Sequence, residues 1–410
     1  MFHSIRLCVV ASCLGMGAPL AWAQLPAAAD DTRISLKAAI ESAWQRSVQA
    51  REAAAQQRGA EAARTAAGSL WARSPALELG YRADRGGTPG GGRESELGLA
   101  WPLWLPGQQT ARQDTARAQA QLAQDSARVA RLRVAGEVRE QAWGLQLLQA
   151  EWQQAQTRAD TLAQLAADVA RRVQAGDLAR ADAMAARAEL LDAQALHTEA
   201  GQRLAEARAR WQLLTGQALT PEPTEPAVPE PAVLDETHPE LAQADRALAL
   251  SRSRLELVQH SRREAPELAL SYRQEEGAGG TAQDSVGVKL RLPLGTQDRN
   301  LPLEAAALGE LEVAETRAQR LREALAATLE ASRLALRNAQ ARAEAEQERA
   351  ALLQERAGLL RRAFAAGELA LPELLRALSA ASQAQAAWAR QQAALGLARA
   401  RYLQALGWLP

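Results

Sequence analysis

The chain has 410 residues, with 48 basic and 48 acidic side chains and a formal charge of zero. That balance excludes a nucleic-acid footprint, which needs a basic face. Aromatics are 4% of the chain; alanine takes their place, which favours long helices packed along small side chains over a wide globular core.

Residues 1–23 read as a secretory signal peptide. Arg6 precedes an apolar run from Leu7 to Leu20, and Ala21-Trp22-Ala23 puts small residues where a signal peptidase reads. Cleavage before Gln24 removes both Cys8 and Cys13, leaving no thiol for disulfides or thiolate metal sites. A rival cut at Val10-Ala11-Ser12-Cys13 resembles a lipobox and would leave Cys13 acylated, but the apolar run before it is short. Beyond the signal no 18-residue stretch is apolar enough for a membrane-spanning helix.

Two short strands come next. Leu77, Leu79 and Tyr81 alternate with Glu78, Gly80 and Arg82; Leu97, Leu99 and Trp101 alternate with Glu96, Gly98 and Ala100. A Gly-rich loop from Arg85 to Arg93 joins them as a hairpin. No proline then occurs between Pro106 and Pro221, which permits a very long helix. Leu145, Leu148, Trp152, Ala155, Ala159, Leu162, Ala166, Val169 and Val173 step by three and four, the coiled-coil signature. The spacing predicts a helix over 108–175, about 100 Å long. Gly176 reverses the chain, and a stripe from Leu190 to Leu214 brings a second helix back.

Residues 220–236 are a proline-rich linker, read as extended and semi-rigid. After it the pattern starts again. Pro75, Pro102, Gly176, Asp182, Trp211 and Gly216 recur as Pro266, Pro293, Gly367, Glu373, Tyr402 and Gly407, always 191 residues later. Residues 24–219 and 237–410 are therefore two copies of one unit. In the second copy Leu268, Leu270 and Tyr272, then Val286, Val288, Leu290 and Leu292, form the alternating strands. The helical stripe returns as Leu336, Ala339, Ala343, Glu346, Ala350, Leu353, Ala357, Leu360 and Phe364, with Glu346 the exception.

Strands of about ten residues, apolar on one face and polar on the other, suit a membrane barrel. Leu79, Leu99, Leu270 and Val288 are expected to face lipid; Glu78, Glu96, Lys289 and Arg291 are expected to face the lumen. Four strands cannot close a barrel, and open edges are not viable in lipid. Three copies supply twelve, so a homotrimer is expected. Trp101 and Trp104 at a strand end fit either an interfacial belt or a helix-start packing role.

The tandem units, the glycine tips with an acid six residues on, the proline-rich connection and the signal together resemble the TolC-like outer-membrane efflux channels. The resemblance covers the whole mature chain. The short length and the Trp101-Pro102-Leu103…Leu105-Pro106-Gly107 turn are similar to the CzcC- and CusC-like heavy-metal branch. It implies a mainly α fold with a β-barrel portion: a trimeric, twelve-stranded barrel continuing into an α-helical periplasmic tunnel. It implies an exit duct of a tripartite, RND-type system, placed in the bacterial outer membrane and reaching into the periplasm. Its partners would be a periplasmic adaptor (membrane fusion protein) and an inner-membrane efflux pump; heavy-metal cations are the cargo of the named branch. Gly176 and Gly367 match the hairpin tips where the adaptor docks. Asp182 and Glu373 match the acidic gate positions, and Arg376 stands where a second acid is frequent, so an Arg376–Glu373 pair would close the iris instead. Asp182 and Glu373 also suit helix N-termini on electrostatic grounds alone.

No enzyme or cofactor is expected. His197, His238 and His260 are scattered without metal spacing, and no phosphate-cradling Gly-x-x-x-x-Gly-Lys is present. The competing class is a periplasmic coiled-coil adaptor or scaffold without a barrel, which would not require two β-hairpins in register.

Overall fold

The computed structural model describes residues 33–83, 92–227, 234–277, 281–294 and 297–410. The expected signal peptide, both cysteines and the centres of the glycine-rich and proline-rich segments lie outside them.

The elements run β1 (Arg33–Ser35), α1 (Leu36–Arg46), α2 (Val48–Ala67), β2 (Ala76–Ala83), β3 (Arg93–Pro102), α3 (Gln108–Ala175), α4 (Arg180–Thr215), β4 (Thr220–Glu222), α5 (Pro239–His260), β5 (Glu267–Glu276), β6 (Ala282–Arg291), α6 (Gln297–Ala365) and α7 (Leu371–Ala405). Ser47 separates α1 from α2 and caps the latter, its side chain accepting from Ala50 N.

α3 has the expected bounds, and α6 is its 69-residue counterpart. α6 starts before Pro302, earlier than the proline-free interval suggested. Pro302 lies near the helix start, where it removes only one backbone donor from the ladder. Every stripe residue from Leu145 to Val173 and from Leu336 to Phe364 is at least half-buried, the exception Glu346 included. Glu346 reaches Arg349 at 3.0 Å. α3 packs along α4 and α6 along α7 as two long antiparallel hairpins, and α7 also lies against α3.

The two β-hairpins join into one antiparallel sheet, order β2-β3-β5-β6. β5 and β6 reach further into their connection than the sequence suggested, to Glu276 and from Ala282. The register brings Leu77, Leu99, Leu270 and Val288 into one row, and Leu79, Leu97, Tyr272 and Val286 into the next.

The linker is not simply an extended spacer. Its first residues form β4, which pairs in parallel with β1. Above this pair sits the main core, where Ile34, Leu36 and Ile40 meet Val138, Leu145, Leu204 and Trp211, with Leu409 packed against them. Glu225, further along the linker, is buried against Arg139 of α3 at 3.2 Å. Arg139 also donates to Gln404 Oε1 at 2.7 Å and to the Trp408 carbonyl. Its guanidinium lies 5.3 Å from the Trp408 ring centroid. First unit, linker and C-terminal segment thus meet on one side chain.

Candidate functional site: the sheet and the hairpin tips

The two central strands of the sheet, β3 and β5, are inside out, while β2 and β6 are exposed on both faces. Period-two alternation normally buries the apolar face of a half-covered sheet. In β3 the reverse holds: Gly98 and Ala100 are buried and Glu94 and Glu96 half-buried, while Leu97 and Leu99 are exposed. Leu79 and Val288 are 77% and 73% exposed, and Leu270 43%. The four residues expected to face lipid share one apolar face, and the four expected to face the lumen share the other. β2 and β6 are the edges, with no strand partner among the described residues.

Trp101 and Trp104 stand where sheet meets helix. Trp101 packs on Trp71, ring centroids 6.3 Å apart. Trp104 Nε1 donates to the carbonyls of Ser69 and Leu70, and Arg112 lies over its ring. Both packing and placement at the sheet end are therefore met.

At the far ends of the hairpins, Gly176 and Gly367 have φ of 87° and 79°. Only glycine adopts this conformation cheaply. Both turns close the same way: Asp177 N donates to the Arg172 carbonyl and Glu368 N to the Ala363 carbonyl, the six-to-one bond of a Schellman motif. Each following helix starts three residues later with an acid in its first turn, Asp182 or Glu373. Asp182 is half-buried, and its Oδ2 accepts from Ala179 N at 3.3 Å, so it caps its own helix. Glu373 is exposed. Arg376 is exposed too, and among the ion pairs of the described residues there is none between it and Glu373.

A further contact at the tips was not legible from periodicity. Arg172 of α3 donates to the Phe364 carbonyl of α6 at 3.1 Å and lies 5.0 Å from the Phe364 ring centroid. Around it Val169, Ala186, Phe364, Leu371 and Leu374 form a small apolar cluster shared by both hairpins. Toward the core, Glu151 of α3 receives Arg203 of α4 and Arg390 of α7 at 3.4 and 2.8 Å. A cavity of about 340 Å³ separates these two ties, lined by Gln154, Arg158, Glu189, Arg361 and Ser382 among others. On the sheet's polar face a second unforeseen cluster gathers Arg82, Glu94, Glu96, Arg273 and Glu275.

Among the described residues no group of three His, Cys, Asp or Glu side chains is placed to hold a metal, and no helix is long and apolar enough to cross a membrane. His197 stacks on Trp152, centroids 5.6 Å apart, as a residue of the helix seam.

An open-edged, four-stranded sheet, apolar on one face and set on two hairpins of some 70-residue and 35-residue helices, is a chain fold shared with solved outer-membrane channels. The structure is similar to the outer membrane protein VceC of Vibrio cholerae, with a TM-score of 0.71 and 17% identity over 91% of this chain and 96% of that one. It is similar to CusC, whose structures describe transmembrane channel formation, with a TM-score of 0.74 and 17% identity over 91% and 92%. The CmeC outer membrane channel of Campylobacter jejuni gives 0.72 and 14% over 91% and 85%. No protein-family model matches the sequence, and no curated protein matches it significantly.

Proposed function

We propose that the protein is the outer-membrane exit duct of a tripartite efflux system, passively conducting cargo delivered by an inner-membrane pump of the RND type through a periplasmic adaptor. The observation that carries this reading is the sheet, inverted in its central strands. Exposed rows of Leu, Val and Tyr on four strands have no use in water, and two open edges have none in lipid. Three copies would close both edges into twelve strands with the leucines outward and the charged face inward. The helical hairpins would then continue the lumen into the periplasm. Residues 24–219 and 237–410 act as the two units, with 220–236 as the connection between them.

In this reading Gly176 and Gly367 present the tips to the adaptor. Asp182 and Glu373 bring six carboxylates per trimer to the constriction. Arg376, exposed one turn after Glu373, lies at the same constriction in this reading. The Trp101-to-Gly107 turn and the short length are the support for heavy-metal cations as cargo, and choice among cargoes rests with the pump. A periplasmic adaptor or scaffold is the weaker reading, since it leaves the leucine face unexplained.

Native mass measurement on the detergent-extracted outer-membrane fraction tests the assembly. A trimer that conducts in planar bilayers is expected; a stable monomer recovered from the soluble fraction would overturn the reading.

A further inference from the structure

The charges on the sheet's polar face are not evenly spread. Toward the helices the face carries no clustered charge: the row at the helix end sets Glu267 beside Arg291 and Pro102, and the next two, Ala76, Ala100, Ala269 and Lys289, then Glu78, Gly98, Ser271 and Gly287, hold one charged residue each. The two rows nearest the strand turns hold Gly80, Glu96, Arg273 and Ser285, then Arg82, Glu94, Glu275 and Gln283. Here the side chains form a connected network across β2, β3 and β5. Arg82 reaches Glu94 at 3.3 Å. The other Glu94 oxygen meets Arg273 Nε at 3.0 Å. Arg273 further meets Glu275 at 3.2 Å and Glu96 at 3.8 Å.

Three carboxylates around two guanidiniums leave one excess negative charge per chain. Exposed ion pairs of this kind contribute little to stability, and the Arg273 side chain is 42% exposed. A ring of such networks would matter through its field instead, because charged rings at a pore mouth select ions. Arg273 is the pivot, since it alone faces all three acids.

We propose that Arg82, Glu94, Glu96, Arg273 and Glu275 form a charge filter at the outer mouth of the duct, and that Arg273 sets how strongly that mouth favours cations. This rests on the duct reading, which puts the polar face inside and the strand turns at the end away from the helices. In three copies this network carries a net charge of about minus three; losing Arg273 doubles it to about minus six. Divalent cations are the ligand class that such an unmasked ring would retain.

The test is the reversal potential of full-length protein in planar bilayers across a tenfold KCl gradient. Arg273→Gln is expected to raise the potassium-to-chloride permeability ratio about twofold or more. The effect should be larger at 0.01 M salt, where the screening length is about 30 Å, than at 1 M, where it is about 3 Å. Arg273→Lys should keep the wild-type ratio, and Glu94→Gln should lower it. Calcium should block Arg273→Gln from the strand-turn side and not from the tip side. A conducting Arg273→Gln with wild-type selectivity at low salt overturns the inference and leaves the duct reading standing. If Arg273→Gln fails to insert, an unchanged ratio in Glu94→Gln overturns it equally. Absence of any wild-type current overturns both.

Discussion

An alanine at position 396 would place its Cβ 2.1 Å from the Trp143 ring. Gly396 is a buried position of α7, and Trp143 of α3 fills the space its missing methyl leaves. Neither residue stands out by period; the match is legible only once the two helices are packed. Overpacking of a tight core costs about 1–3 kcal/mol. Gly396→Ala should lower the thermal midpoint of the helical circular-dichroism signal, whereas Gly201→Ala should not. Gly201 faces Trp152 at 3.5 Å, an ordinary contact.

Arg139 and Glu225 make the other residue-scale case. Burial pushes the Glu225 carboxyl up, against the pull of Arg139, and pushes the Arg139 guanidinium down. Trp143 stands beside the pair, with its Nε1 and Glu225 Oε2 lacking a well-formed bond. Removing one member of a buried pair costs about 3–5 kcal/mol, so Arg139→Met should be strongly destabilising at neutral pH. A carboxylate with a raised folded-state value contributes its stability below the ordinary range near 4.3 and loses it as pH rises through the folded value. Deprived of Arg139, Glu225 moves higher still. The variant's deficit should therefore shrink on acidification from pH 7 to 5, read by chemical denaturation at each pH.

At the scale of elements, the sheet and the two long hairpins were legible before any coordinates. Period two held throughout and period three-to-four failed in the long helices only at Glu346, and the constant offset checked each against its copy. What stayed hidden was tertiary. β4 lies in a proline-rich run, and proline argues against a central strand; Pro221 is tolerated because the pair it joins is only three residues long and at an edge. The Arg172–Phe364 tie joins residues 192 positions apart, which no local pattern encodes. Asp182 is a different case: its pattern was visible, and what the sequence did not show is that one of its oxygens accepts from Ala179 N and caps its own helix.

Three predictions belong to these elements. Leu99→Arg puts a cation on the exposed apolar row and should cost about 2–4 kcal/mol of insertion if it sits near the bilayer midplane. Glu96→Arg, on the opposite face, should insert like the wild type. Equal insertion of both, measured by heat-modifiable gel mobility in outer-membrane fractions, would falsify the assigned faces. At the tips, Asp182→Asn with Glu373→Gln should lose block by divalent ions and open more often, because fewer carboxylates hold a counter-ion there. Single-channel records identical to the wild type would remove both residues from the gate. Gly367→Val should leave insertion intact and weaken adaptor capture, since valine resists positive φ.

For the whole molecule, the meeting of β1, β4 and Leu409 in one core has a bearing on how the chain matures. A secreted polypeptide emerges from its N-terminal end first. β1 then has no strand to pair with until Thr220 has crossed, 187 residues behind Arg33. The core over that pair gains its last packing residue only with Leu409. Contacts so distant in sequence carry a large loop-closure cost and form slowly. The helical hairpins, being local, can form while translocation continues; the waist that binds them cannot. An early half-folded chain would thus show its leucine strands and its unsealed core together. Such a chain is prone to aggregation until its final residues arrive.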